Sequence, residues 1–237
     1  MKKHIPNILT LLNLFSGCIA IIMAFKNDFE GVVIWVAIAA LFDFFDGMAA
    51  RILKAYSPLG KELDSLADVV SFGVAPAAAL YILMNNYFLL NGLPLIVSHY
   101  APYLAFLIPM FAAYRLAKFN IDERQTTSFF GLPTPANGLF WISYCYGLHK
   151  LAPLNELIFY LTIMLIFLFS WLMISEIPMF SLKIKKITLK GNERQLLLVS
   201  LFIIFISLWG ISGIAGVIAA YIIISIFTPR ISNPSVK

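Results

Sequence analysis

The sequence predicts an all-α polytopic membrane protein, a helical bundle of about eight transmembrane helices, and three observations carry that prediction. Hydrophobic residues make up 61% of the 237-residue chain and charged residues only 12%, about half the charged share of a soluble globular domain. Apolar runs of about 16 to 22 residues recur along most of the length, each close to the ~20 residues that cross a hydrocarbon core. No stretch is left for a separate soluble unit of about 50 residues or more, so residues 1–237 read as a single membrane-embedded domain.

The spans fall at about residues 8–25, 32–50, 65–84, 101–118, 134–148, 155–175, 196–209 and 213–228. The first follows Met1-Lys2-Lys3-His4 and stays apolar from Gly17 through Ala24, which marks a retained span rather than a cleaved signal. Pro58-Leu59-Gly60 and Gly131-Leu132-Pro133-Thr134-Pro135 read as turns and helix starts ahead of the third and fifth spans. The last two spans come from one run, residues 196–228, too long for a straight crossing, and Trp209-Gly210-Ile211-Ser212-Gly213 is the turn that divides it. Cys18 and Cys145 both lie inside spans as small hydrophobes, with no disulfide or metal-thiolate pattern.

Charge placement tests this topology independently. With the N-terminus cytoplasmic, fifteen of the seventeen basic residues fall on the inner side, among them Arg51, Lys54, Lys61, Arg115, Lys118, Arg124 and the cluster Lys183, Lys185, Lys186, Lys190. Only Lys26 and Lys150 fall outside, and the loop from Asn85 to Tyr100 carries no charge. This bias is the positive-inside signature, so both termini are expected on the cytoplasmic side of a bacterial-type inner membrane. The same bias accounts for the net charge of +5. The Lys183–Lys190 run is also suited to lie on anionic membrane lipids. Nucleic acid is excluded as a partner, because there is no soluble basic face to present.

The chemistry concentrates in a 26-residue stretch from Asp43 to Asp68, which holds four aspartates at the edges of apolar runs. An ionised Asp at the centre of a membrane helix costs roughly 2.5 to 3.5 kcal/mol, so four together require a compensating partner. On a helix, Asp43, Asp46, Gly47, Ala50 and Arg51 share one face, and Asp64 and Asp68 share another at i and i+4. The short link from Arg51 to Leu63 allows the two faces to oppose one another and the four carboxylates to converge. Oxygen-only ligands suit Mg²⁺ or Mn²⁺, and no His or Cys lies nearby to favour zinc. Four carboxylates are balanced by two divalent ions, a recurrent arrangement for displacement at phosphorus. Gly47, Ala50 and Gly60 leave room for a phosphate or nucleotide near the backbone, and Arg51 suits a diphosphate. Taken singly, each residue has a plainer reading: an intramembrane Asp as a proton relay, Arg51 as a positive-inside residue, Gly47 and Ala50 as helix-packing positions. Their joint spacing outweighs these.

The stretch also reproduces a family signature. Asp43-x-x-Asp46-Gly47-x-x-Ala50-Arg51, eight residues, then Gly60-x-x-x-Asp64-x-x-x-Asp68 resembles the CDP-alcohol phosphotransferase motif at all eight named positions. The resemblance implies a membrane enzyme with a six-helix core, to which the last two spans are additional, that displaces CMP from a CDP-linked substrate by attack of an alcohol. It implies that Asp43, Asp46, Asp64 and Asp68 hold two metal ions and that Asp68 is also the general base. It further implies that Gly47, Ala50, Arg51, Ser57 and Gly60 line the CDP site, bordered by Asn7 and Thr10 of the opening Ile5-Pro6-Asn7-Ile8-Leu9-Thr10. Homodimers are usual in the family.

The segments Pro6–Gly17, Arg115-Leu116-Ala117-Lys118-Phe119-Asn120 and Phe130–Ala136 resemble those of the serine-accepting bacterial members, with Lys118 where Arg is more usual. That resemblance implies CDP-diacylglycerol and L-serine as substrates. Arg115, Lys118 and Asn120 are then candidates for holding the serine carboxylate. Glycerol 3-phosphate or inositol as acceptor, and a cation transporter or channel lined by the four acids, are the rival readings. His4, His99 and His149 lie at span ends or in loops, far in sequence from the acids, and are given no catalytic role.

Overall fold

The computed structural model describes residues 4–88, 94–121, 129–180 and 193–227. Helices α1 (Ile5–Phe25) and α2 (Phe29–Ile52) form an antiparallel hairpin. Its turn follows from two local rules. Asn27 adopts φ 58°, a left-handed conformation that Asn tolerates, and the Asp28 amide bonds to the Met23 carbonyl at 3.0 Å, closing α1 in a Schellman turn. The Asp28 side chain then accepts from the Gly31 amide at 2.8 Å and caps α2.

The next rod is the axis of the bundle. It runs through α3 (Pro58–Asp68), a π-helical segment (Val69–Val74) and α4 (Ala75–Asn86). It begins at Pro58 rather than near residue 65, because Ser57 caps it: the Ser57 hydroxyl accepts from the Gly60 amide at 3.0 Å and Pro58 occupies the first helical position. Three neighbours close on the π-helical segment through small residues. A Cβ added to Gly17 of α1 would stand 2.8 Å from the Ser71 Cα, and one on Gly138 would stand 2.8 Å from the Phe72 Cα. From the third side, Gly73 lies against Pro109.

The chain returns through α5 (Leu95–Tyr100), a 3₁₀ turn (Ala101–Phe106) and α6 (Leu107–Ile121), then continues as α7 (Thr134–Leu151) and α8 (Glu156–Ile174). Two-residue strands β1 (Phe129–Phe130) and β2 (Pro178–Met179) pair antiparallel and tie the segments ahead of α7 and after α8. The final apolar run divides where the sequence predicts, into α9 (Glu193–Trp209), a 3₁₀ turn (Gly210–Ser212) and α10 (Gly213–Phe227). Gly216 packs on the Phe205 ring, so the two helices fold back on each other. Among the described residues the helices thus stack into eight rods, close to the expected spans.

Among the described residues, six stretches are long and apolar enough to cross a membrane, residues 194–227 being one continuous stretch by that measure. α7 is not among them, and its position explains why. Trp141 and Cys145 are wholly buried, and Thr134, Asn137 and Ser143 are buried with them, so α7 is sheathed by protein and can carry polar groups lipid would not accept. The outer helices show the reverse pattern. Tyr160, Met164, Phe167 and Trp171 form an exposed apolar stripe along α8, as expected of a surface solvated by acyl chains.

The two ends of the bundle differ in charge. At one, the Phe29 ring stacks on His149 with centroids 4.6 Å apart and meets Tyr87 edge-on at 5.8 Å; Lys26 and Lys150 belong to this end. Arg51, Lys54, Lys61, Arg115 and Lys118 belong to the helix ends at the other. The Lys183–Lys190 run and Arg124 lie outside the described residues.

Candidate active site

The basic end of the bundle holds the acids. Carboxylate oxygens of Asp43, Asp64 and Asp68 lie within 4.8 Å of one another, and Asp43 is within hydrogen-bonding reach of both others. Three of the four predicted acids therefore converge from α2 and α3. Asp46 does not join that group. The Thr10 hydroxyl of α1 donates to Asp46 Oδ2 at 2.6 Å, drawing the carboxylate towards α1.

The donor set fits a hard divalent cation. Asp68 and Asp46 are each 6% exposed, and Asp64 Oδ1 is buried with no partner among the described residues. Carboxylates this close repel unless a cation or a proton lies between them. Ligand oxygens about 2.1 Å from Mg²⁺ stand at most about 4.2 Å apart, a spacing this group can reach with small side-chain movements. All the ligands are oxygens, as Mg²⁺ and Mn²⁺ prefer.

Above the acids opens a cavity of about 610 Å³, well within the range of small-molecule sites. Asn7 and Thr10 line it from α1, Asp46, Gly47 and Ala50 from α2, and Ser57, Gly60, Lys61 and Asp64 from the α3 side. Eight predicted nucleotide-side or metal residues, Asn7, Thr10, Asp46, Gly47, Ala50, Ser57, Gly60 and Asp64, therefore share one wall system. A Cβ at Gly47 would meet nothing within 4 Å, so that position faces open space. At Gly60 it would stand 3.1 Å from Asn7 Oδ1 and 3.0 Å from the Ser57 hydroxyl, so the glycine lets α1 and the α3 cap approach. Arg51 is exposed beside this mouth, its Nε donating to the Gly47 carbonyl at 3.0 Å. The turn that delivers it is a second Schellman motif: the Ala55 amide bonds to the Ala50 carbonyl at 3.0 Å, with Lys54 left-handed at φ 50°.

The three acceptor-side candidates separate. Arg115 is buried against the π-helical axis, its Nη1 donating to the Thr134 hydroxyl at 3.3 Å, within electrostatic range of Asp68 and Tyr221. Lys118 Nζ pairs with Glu176 at 3.8 Å across to the end of α8. Asn120 braces α3: its side-chain Nδ2 donates to the Ser65 hydroxyl at 2.9 Å, and its backbone carbonyl accepts from Lys61 Nζ at 2.7 Å.

Several residues at the site escape the sequence motif. Asn13, fully buried, donates from Nδ2 to Asp68 Oδ1 at 3.3 Å, and its carbonyl accepts from the Ser71 hydroxyl at 3.0 Å. Its signal was present: Thr10, Asn13 and Gly17 follow one another at helical spacing on a single face of an otherwise apolar span. Lys61 and Tyr56 line the cavity, and neither stands at a motif position.

With this geometry in view, comparison with known proteins gives one family. The profile of the CDP-alcohol phosphatidyltransferases matches residues 3–223. The chain belongs to this family. Among curated relatives, the protein named CDP-diacylglycerol--serine O-phosphatidyltransferase in Bacillus subtilis is 37% identical over 137 residues, which is 58% of this chain and 72% of that protein. The protein of the same name in Methanocaldococcus jannaschii is 38% identical over 141 residues, 60% of each chain. That of Mycobacterium leprae is 38% identical over 142 residues, 57% of this chain and 44% of the relative. The matched stretches thus span between 44% and 72% of these relatives.

Proposed function

We propose that this family member transfers the phosphatidyl group of CDP-diacylglycerol to L-serine, giving phosphatidylserine and CMP. The observation that carries the reading is the meeting of Asp43, Asp64 and Asp68 within 4.8 Å beneath a cavity walled by Asn7, Thr10, Gly47, Ala50, Ser57 and Gly60. The serine acceptor is supported by the names of the relatives and by a buried guanidinium, Arg115, within electrostatic range of Asp68.

In this reading Asp43, Asp46, Asp64 and Asp68 hold two Mg²⁺ or Mn²⁺ ions. When bound, they supply charge neutralisation for the diphosphate and the departing CMP. The chain's own groups do the rest. Gly47 and Gly60 admit the nucleotide close to the backbone, with Ala50, Ser57, Asn7 and Thr10 around it and Arg51 on its phosphates. Asn13 holds Asp68 by the Nδ2 bond, and Asp68 removes the serine hydroxyl proton. The serine oxygen then bonds to the phosphatidyl phosphorus as the bond from that phosphorus to the CMP oxygen breaks, the electron pair leaving with CMP. Arg115 takes the serine carboxylate, with Lys118 and Asn120 at the edge of the same path.

The setting is a bacterial-type inner membrane with both termini cytoplasmic, one domain per chain, and a homodimer. The orientation is supported by the segregation of basic residues to the site end, where water-soluble serine and CMP arrive. Incubating the purified protein with CDP-diacylglycerol and, separately, serine, glycerol 3-phosphate or inositol, then identifying the lipid, tests the acceptor. Product from glycerol 3-phosphate or inositol and none from serine would overturn it. Asp68→Asn is expected to lower turnover by at least about 10², the usual loss of a general base; undiminished turnover would remove Asp68 from that role.

A further inference from the structure

Asn137 on α7 is 0% exposed, and neither atom of its side-chain amide, Nδ2 or Oδ1, has a hydrogen-bond partner among the described residues. Leaving a buried amide wholly unpaired is costly, and most such groups are satisfied by protein, water or ligand. Its surroundings say which. Asn137 lies one helical turn after Thr134, on the same face of α7, and the Thr134 hydroxyl is the acceptor of Arg115 Nη1. Arg115 Nε is likewise buried without a partner. The following residue, Gly138, sits directly on Phe72 of the π-helical segment that continues from Asp68. An unsatisfied donor and acceptor pair, an unsatisfied guanidinium edge and the proposed base therefore belong to elements packed against one another.

We infer that Asn137 is a specificity-determining residue for the acceptor, reading the zwitterionic end of an α-amino acid. Its Nδ2 donates to the carboxylate alongside Arg115, and its Oδ1 accepts from the ammonium. The amide offers one donor and one acceptor, and an amino acid presents the complementary pair on adjacent groups. A polyol such as inositol has no charged pair, and a phosphorylated alcohol has nothing to donate strongly to Oδ1. The inference rests on serine being the acceptor.

The test is steady-state kinetics of the full-length enzyme in detergent with CDP-diacylglycerol, serine and Mg²⁺, accompanied by CDP affinity from calorimetry and a thermal midpoint. Asn137→Leu keeps the side-chain shape and removes both polar atoms. It is expected to raise the KM for serine at least about tenfold, the loss of a hydrogen bond to a charged group, with CDP affinity and KM for CDP-diacylglycerol within about twofold. Asn137→Asp, which keeps an acceptor and sets a negative charge against the carboxylate, is expected to raise it further and serves if the leucine variant does not fold. An unchanged serine KM in a folded variant overturns the inference and leaves Asn137 as an amide satisfied by ordered water. An equal loss in CDP affinity and serine KM also overturns it, because that pattern marks general disruption of the bundle. Failure of wild-type enzyme to use serine at all shows instead that the acceptor reading is wrong, and it is seen before any variant is made.

Discussion

Gly17→Ala is expected to disable the enzyme from a position that touches no substrate. A methyl at Gly17 would stand 2.8 Å from the Ser71 Cα and 3.1 Å from its Cβ, whereas carbon atoms rest about 3.5 to 4.0 Å apart. α1 therefore has to withdraw from the π-helical axis by roughly 0.7 Å or more. One turn earlier on the same face, Asn13 reaches Asp68 Oδ1 at 3.3 Å, already just beyond the usual N–H···O range of about 2.7 to 3.2 Å. Withdrawal by that amount breaks the bond and releases the Asp68 carboxylate from its fixed orientation. Overpacking of this kind costs about 1 to 3 kcal/mol of stability, and misplacing a reacting group by about 1 Å can cost about 10² in rate. The assay is CMP release from CDP-diacylglycerol at saturating serine, beside a thermal midpoint in detergent. A kcat lowered by about 10², with a modestly lowered midpoint, is the expected result. Wild-type turnover in a folded Gly17→Ala enzyme would refute the idea that contact between α1 and the axis sets the base.

Gly47→Ala is the complementary case: its Cβ meets nothing within 4 Å, so stability should hold or rise by up to about 1 kcal/mol through helix propensity, leaving the midpoint unchanged or higher, while the methyl intrudes on the cavity and raises the KM for CDP-diacylglycerol; a lowered midpoint with unchanged KM would contradict the placement. Thr10→Val removes the 2.6 Å donor to Asp46, and the Mg²⁺ concentration for half-maximal activity should rise about 10-fold or more, as for other partners of metal ligands; an unchanged Mg²⁺ titration would separate Asp46 from the metal load. Lys54→Gly relieves a left-handed lysine at φ 50° and should stabilise the enzyme by about 1 kcal/mol in thermal denaturation, with no change in KM; a lowered midpoint would show that the lysine side chain contributes more than its backbone conformation costs.

What the sequence made legible and what it hid divide along a physical line. Asp43, Asp64 and Asp68 stand out because a charge in an apolar run is costly at any position, so composition alone exposes them. Gly47, Ala50 and Gly60 were readable because helical spacing places them beside the acids. Asn137 was not, because a neutral amide in a span is a small deviation in hydropathy and its importance comes from which helix it faces; Asn13 left only the faint trace of its spacing from Thr10 and Gly17. The displacement of Asp46 towards Thr10 was equally hidden: same-face spacing on α2 puts it with Asp43, and only the approach of α1 draws it aside. The early start of α3 at Pro58 had a local signal in Ser57 and Pro58, but the polar composition of Gly60–Asp64 masked it on a hydropathy scale.

The C-terminal pair of helices is where fold and site join in a way no motif announces. The Tyr221 hydroxyl on α10 donates to the Phe180 carbonyl at 3.1 Å, just beyond β2, while the Phe180 and Tyr221 rings meet at 4.9 Å. Strand β2 pairs with β1 directly ahead of α7, and α7 begins with Thr134, the partner of Arg115. Tyr221 is itself within electrostatic range of Arg115. α10 thus bears on the guanidinium from two directions, through space and through the β1–β2 tie that sets the start of α7. Asp43 to Asp68 and the α1 face form the half of the site that the family motif describes. The other half, where we propose that the acceptor is held, is assembled from α6, α7 and α10, and it depends on tertiary packing among helices whose sequences look like ordinary membrane spans.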